Sequence, residues 1–252
     1  MEKVTTDILI AEDNPKDFEF LESIFLSYPN RTCRLQRANN GLLALEMALE
    51  REVPLVVSDI QMPELNGIDF AKALWTRNPK ARIVLWSQHK DEMYVRALAR
   101  IVPAETVYGY ILKSNPRERI AAAIATVLFD DQCWIDPEVR KVQGRTGHSQ
   151  TALSDIEYEA LVDISLGLTD NLIAQRRYLS RRGVQSRLNS LYGKLGLDLD
   201  QFQSDKVGDA FNLRNRAVSV SIRRGLINAF ELESEEVELQ TWIKRYKGSL
   251  KE

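Results

Sequence analysis

The chain has 252 residues, room for two domains at roughly 100–200 residues each, and its 44% hydrophobic and 28% charged composition is that of an ordinary globular protein. The 34 basic and 36 acidic residues leave a formal net charge of -2, so no overall field points to a polyanionic partner and charge must be read locally. Two cysteines, Cys33 and Cys133, exclude a disulfide framework and a thiolate metal cluster, and no apolar run approaches the roughly 20 residues of a membrane helix. No basic stretch followed by an apolar run opens the chain, so a cytoplasmic protein with no membrane partner is expected.

In chain order, short apolar runs at 7–11 (DILIA), 54–58 (PLVVS), 82–86 (RIVLW) and 107–112 (VYGYIL) predict buried strands, with a further candidate at 32–37. Between them, apolar residues recur at helical spacing. In 15–28 they are Phe18, Leu21, Ile24, Phe25 and Tyr28, and segments 40–51, 67–77, 89–100 and 115–129 follow the same rule. Fivefold β-α alternation with fully apolar strands predicts a doubly wound, five-stranded parallel α/β sheet over residues 1–129. Residues 130–150, with Pro137, Gly144, Gly147 and little periodicity, read as a linker. From 151 to 252 the pattern is all-α. Ser154 with Glu157 makes a capping box, Thr169 and Ser180 are N-cap candidates, and Gly167 and Gly196 stand where helices end. Further helices are expected over 213–230 and 235–247.

Ligands of open α/β sheets bind beyond the carboxyl ends of the strands. Those ends carry Glu12 and Asp13, Asp59, Ser87 and Lys113, at intervals of 46, 28 and 26 residues counted from Asp13. Three gathered carboxylates repel one another unless a cation neutralises them, and Mg2+ is suited to hard oxygen ligands. Glu12, Asp13 and Asp59 are the candidate ligands, with the backbone carbonyl of Gln61 a further one. Asp59 is then the candidate nucleophile toward a phosphoryl group, Lys113 pairs with one phosphoryl oxygen and Ser87 donates to another.

The segments ILIAEDN (8–14), VVSDIQMPELNG (56–67), IVLWSQ (83–88) and YILKSNP (110–116) together resemble the receiver domain of two-component response regulators, over about residues 5–129. The resemblance implies a flavodoxin-like fold, phosphorylation of Asp59 by a sensor histidine kinase, metal binding at the acidic pair, and a switch formed by Ser87 and Tyr110. It also implies a homodimer on activation through the face built from residues 89–129. Trp86 and Gln88 flank Ser87 where smaller residues are commoner in the family.

The second half carries a separate signal. Residues 171–197 hold six basic residues (Arg176, Arg177, Arg181, Arg182, Arg187 and Lys194) and no acidic one. A helix over 170–178, a short turn and a second helix over 181–195 form the order of a helix-turn-helix. There the start of the second helix reads base edges and the other basic residues meet phosphates of double-stranded DNA. Arg181, Arg182, Gln185, Ser186, Arg187 and Asn189 are the candidates on that helix, joined by Arg176, Arg177 and Lys194. LSDIEYEAL (153–161), GLTDNLIAQ (167–175), YLSRRGVQSRL (178–188) and YGKLGL (192–197) resemble the LuxR/NarL-type output domain. Gly183 stands where that family usually has Thr, and Arg177 where an apolar residue is usual.

The expectation is therefore a transcription factor controlled by phosphorylation. The alternative is a regulator whose C-terminal region acts mainly by binding another protein. An enzyme is disfavoured, since His89 and His148 lack a nucleophile at a suggestive spacing and read as surface residues. Beyond residue 200, Arg214, Arg216, Arg223 and Arg224 precede Glu231, Glu233, Glu235, Glu236 and Glu238. One or two amphipathic helices packed on the DNA-binding domain are expected there, with a partner-binding or dimerisation extension as the other reading.

Overall fold

Apolar runs too short for a helix and too hydrophobic for a surface bury both faces when they pair side by side, and the chain does this from its first strand onward. The computed structural model describes residues 5–28, 31–50, 55–148, 152–197 and 212–249. They divide into two compact units, one of residues up to Lys90 with Tyr94–Lys141, the other of Asp91–Met93 with the residues from Val142 onward.

The first unit alternates β1 (Thr5–Ala11), α1 (Pro15–Leu26), β2 (Thr32–Ala38), α2 (Gly41–Glu50), β3 (Leu55–Asp59), α3 (Gly67–Arg77), β4 (Arg82–Ser87), α4 (Glu92–Ile101), β5 (Tyr108–Leu112) and α5 (Arg117–Leu128). The sheet is parallel throughout, in the order β2-β1-β3-β4-β5 with one more strand beyond β5. Side chains alternate across it. Ile8, Ile10, Val57, Val84, Trp86 and Ile111 form one core with Leu21, Ile24 and Phe25 of α1 and Ile120 and Ile124 of α5. The candidate strand at 32–37 is a full edge strand, in register with β1 from Thr5↔Thr32 to Ala11↔Ala38.

The sheet carries a sixth strand beyond the five expected, and the segment read as a linker holds secondary structure. Trp134–Ile135 is β6, paired with Gly109 and Tyr110 of β5, and Pro137–His148 is α6. Buried Asp136 fixes this segment: its N–H donates to the Tyr110 carbonyl, and its carboxylate accepts from Asn115 Nδ2 (2.7 Å) and from the Glu138 N–H that opens α6 (2.9 Å). A two-residue strand and a polar helix leave little periodicity to read.

The second unit is all helical: α7 (Asp155–Ser165), α8 (Asp170–Arg176), α9 (Arg181–Lys194), α10 (Leu213–Arg223) and α11 (Ala229–Ser249). Ser154 and Glu157 form the capping box on α7, and Thr169 and Ser180 cap α8 and α9. Gly167 and Gly196 follow α7 and α9 with φ of 77° and 72°. The helix expected over 213–230 is broken: α10 stops at Arg223, left-handed Gly225 (φ 66°) reverses the chain, and α11 starts at Ala229. Ala217, Val220, Ile227 and Leu239 join Leu161, Ile173, Val184, Leu188 and Leu191 in one core, so both later helices belong to the domain's own interior. Residues 149–151 and 198–211, parts of the expected linker and extension, lie outside the described residues.

Candidate functional site

The loop between β1 and α1 sets the acidic pair. Asn14 caps α1 through the Lys16 N–H, and its own N–H donates to Glu12 Oε1 (3.1 Å), so Glu12 turns inward while Asp13 stays exposed. Asp59 ends β3 and is buried. Its Oδ1 accepts from the N–H groups of Ile60 (2.5 Å) and Gln61 (3.2 Å), which leaves Oδ2 facing the cleft. Gly67 is required beside it, because a Cβ there would fall 2.1 Å from the Asp59 carbonyl oxygen. Carboxylate oxygens of Glu12, Asp13 and Asp59 lie within 4.8 Å of one another.

Lys113, one residue past β5, sends its ammonium into the same cleft. Nζ lies 2.7 Å from Asp59 Oδ2, 2.9 Å from Glu12 Oε2 and 2.8 Å from Asp17 Oδ2. These residues line a cavity of about 200 Å³ with Gln61, Gln88 and His89. Burial, then the nearby Asp59 carboxylate, pushes the Glu12 carboxyl above its ordinary range. Burial also raises Asp59, against the lowering effect of Lys113. For Lys113 burial alone would act downward, but Asp59, Asp17 and Glu12 outweigh it and hold the ammonium above the usual lysine range. Burial thus outweighs the lowering effect of the Lys113 contact at both acids.

Sequence reasoning missed three residues here. Asp17 lies four residues beyond Asp13, one helical turn, and spacing alone was the available signal. Trp86 Nε1 donates to Glu12 Oε2 (2.9 Å), while Lys113 Nζ sits 4.8 Å from the Trp86 ring, which stacks on Phe20. The bulky neighbour of Ser87 thus braces two residues of the cleft from behind. Tyr94 accepts a hydrogen bond from Gln61 Nε2 (2.9 Å). His89, expected on the surface, lines the cavity. The Tyr110 ring is fully buried and its hydroxyl donates to the His89 carbonyl (2.8 Å), while the His89 N–H donates to Ser87 Oγ (3.1 Å).

In the second unit the basic cluster divides. Asp163 of α7 is 0% exposed and is held by Arg176 (NH1 to Oδ1, 2.9 Å) and by Arg177 (Nε to Oδ2, 2.9 Å; NH2 to Oδ1, 3.0 Å). Lys194 donates to Glu157 Oε2 (2.6 Å) and to the Ala152 carbonyl (2.8 Å). These three expected DNA contacts therefore bind their own domain, and this explains why Arg177 replaces an apolar residue: an internal acid meets it. On α9, Arg181, Arg182, Gln185, Ser186 and Asn189 are exposed and share one face at 3.6 residues per turn, opposite buried Val184, Leu188 and Leu191. Arg187 is half-buried and lies on the other side of the helix from that face, beside buried Leu191. Among the described residues none pairs with Arg181, Arg182 or Arg187.

Residues 8–125 match the model of the response regulator receiver domain. The chain is 26% identical over 226 residues to the transcriptional regulatory protein YdfI of Bacillus subtilis (strain 168), covering 87% of this chain and 97% of that one. It is 24% identical over 188 residues to the oxygen regulatory protein NreC of Staphylococcus carnosus (strain TM300), covering 69% and 84%. Its fold is similar to that of RcsB from Salmonella enterica serovar Typhimurium, solved bound to a promoter in the presence of phosphomimetic BeF3- (TM-score 0.56, 17% identity, 85% of this chain and 98% of that one). Residues 8–125 are thus a response regulator receiver domain, and the chain as a whole is similar to proteins named as transcriptional regulators. Its relatives are transcriptional regulators and not enzymes. No described helix is long and apolar enough to cross a membrane.

Proposed function

We propose that this chain is a cytoplasmic transcription factor switched by phosphorylation of Asp59, with the receiver extending to about residue 141 and the output domain starting near 152. The observation that carries the reading is Asp59 itself. One oxygen is fixed by two backbone N–H groups, and the other faces a cleft with Glu12, Asp13 and Lys113. Asp59 Oδ2 attacks the phosphorus of a phosphohistidine on a sensor kinase; the P–N bond breaks, and the imidazole leaves with its electron pair and takes up a proton. Lys113 then pairs with a phosphoryl oxygen, and Ser87 exchanges the His89 N–H for a hydrogen bond to another. Tyr110, joined to the His89 carbonyl, follows that loop, which changes the 89–129 face and favours a homodimer.

The donor set fits a hard divalent cation, since three carboxylate oxygens converge where one lysine leaves negative charge in excess. Glu12, Asp13 and Asp59 would hold Mg2+, with the Gln61 carbonyl as a further ligand. When bound, the ion neutralises charge as the phosphoryl group is transferred.

The exposed face of α9, with Arg181, Arg182, Gln185, Ser186 and Asn189, supports insertion into the major groove of duplex DNA. Relatives named as transcriptional regulators agree with that output. A second reading, an output domain acting mainly through another protein, draws on the internal use of Arg176, Arg177 and Lys194.

Treatment with a small phosphodonor and Mg2+ tests the whole scheme on wild type and Asp59→Asn. Wild type is expected to gain one phosphoryl group by mass, to self-associate more strongly and to bind duplex DNA more tightly in a salt-dependent way; Asp59→Asn does none of these. A phosphoryl group retained in Asp59→Asn, or DNA affinity indifferent to replacement of both Arg181 and Arg182, would overturn it.

A further inference from the structure

Four helices of the output unit end in one way. After α7, α8, α9 and α10 a leucine N–H reaches back to the carbonyl five residues earlier: Leu168 to Asp163 (3.1 Å), Leu179 to Ala174 (2.7 Å), Leu197 to Tyr192 (2.9 Å) and Leu226 to Ser221 (2.9 Å). That closure needs a left-handed residue immediately before the leucine, and glycine fills it without steric conflict. Three of the four positions are Gly167, Gly196 and Gly225; the fourth, between α8 and α9, is Tyr178 at φ 53°.

A Cβ is disfavoured in that conformation. Packing against the domain does not compensate for it, because Tyr178 is 93% exposed. Its hydroxyl has no hydrogen-bond partner among the described residues. Folding thus gives no reason for a tyrosine at the one helix end of the four that leads into the turn of the helix-turn-helix, three residues before Arg181. Strained, exposed residues that stability does not account for occur where a surface is used.

We propose that Tyr178 is a DNA-backbone contact, its phenol donating a hydrogen bond to a phosphate oxygen beside the groove that α9 enters. A neutral hydroxyl is among the groups that fix a protein's register on the phosphates. The inference rests on the reading of the output domain as a duplex-DNA binder.

The test uses the full chain with phosphodonor and Mg2+, a labelled mixed-sequence duplex, and a series of salt concentrations. Tyr178→Phe removes only the hydroxyl and is expected to weaken binding roughly fivefold. The salt slope stays unchanged, because a neutral phenol displaces no counterion. Tyr178→Gly is expected to weaken binding at least as much while raising the thermal midpoint, since glycine relieves the backbone. Arg181→Ala, the control, lowers the salt slope by about one. If both Tyr178 variants bind like wild type while Arg181→Ala is impaired, the inference fails and the DNA reading stands. If wild type shows no salt-dependent binding, or Arg181→Ala is indifferent, the DNA reading fails and takes this inference with it. Altered self-association with unaltered affinity assigns Tyr178 to a protein contact and likewise overturns it.

Discussion

The receiver cleft and the output core both gather carboxylates around basic side chains, and they settle the charge in opposite ways. In the cleft, Lys113 faces Glu12, Asp17 and Asp59, with Asp13 close by, and the acids outnumber the base. Glu12 and Asp59 are accordingly pushed up by burial and left short of compensation. In the output core two arginines hold Asp163, while Glu157 accepts from Lys194, Ser190 and Ser154. Burial acts to raise Glu157, yet those donors bring it down to about 2. The difference separates a site from a scaffold. Where local charges balance, the group holds the fold together; where they do not, an external ion or phosphoryl group has a place.

The largest test of that contrast is Asp163→Asn. It leaves Arg176 and Arg177 largely buried against a neutral amide, and breaking such a pair is expected to cost about 3–5 kcal/mol. Asp59→Asn removes a charge from a cluster in excess and is expected to cost far less. Urea unfolding of both variants decides the matter: equal losses would mean that the cleft acid is as structural as the core one.

Next is the pH dependence of Glu157. Its folded pKa of about 2 lies below the ordinary 4.5, so its contribution is complete above about pH 4.5 and is lost as pH falls toward 2. A depression of that size corresponds to roughly 3 kcal/mol. The stability difference between wild type and Glu157→Gln should therefore shrink steadily over that window. A difference that is flat with pH would show that the capping box works without its charge.

How much of this was legible beforehand follows the same division. Strand ends marked by Glu12, Asp13, Asp59 and Lys113 are readable because each is a polar residue closing an apolar run, and the topology places such ends along one edge. The helix caps at Ser154, Thr169 and Ser180 are readable because capping is local. Pairing across the chain is not. Nothing near Arg176 or Arg177 in sequence announces that Asp163, on another helix, will claim both, so charge counting could not separate the three basic residues that pair within the domain from the exposed ones. Strand β6 escaped for a similar reason, since two residues carry no period and their pairing depends on β5 already being in place. The role of Trp86 was hidden by its apolar run, which explains its burial and says nothing of its N–H.

The smallest expected effect bears on the exposed helix itself. Gly183 lies inside α9, its N–H donating to the capping hydroxyl of Ser180 (3.1 Å). A Cβ at this position would meet Ser180 Oγ at 3.4 Å and Leu179 Cβ at 3.9 Å, both ordinary contacts. Ala therefore fits, and replacing a helical glycine is expected to stabilise by about 0.5–1 kcal/mol. At Gly67 the same exchange meets rigid backbone of Asp59 2.1 Å away and must destabilise. A glycine required by its surroundings belongs to the cleft, whereas one that merely loosens the helix belongs to the output domain. If Gly183→Ala raises the thermal midpoint and also tightens duplex binding, the looseness of α9 limits its docking. If stability rises while binding weakens, the helix must yield to fit its groove, and the glycine serves recognition.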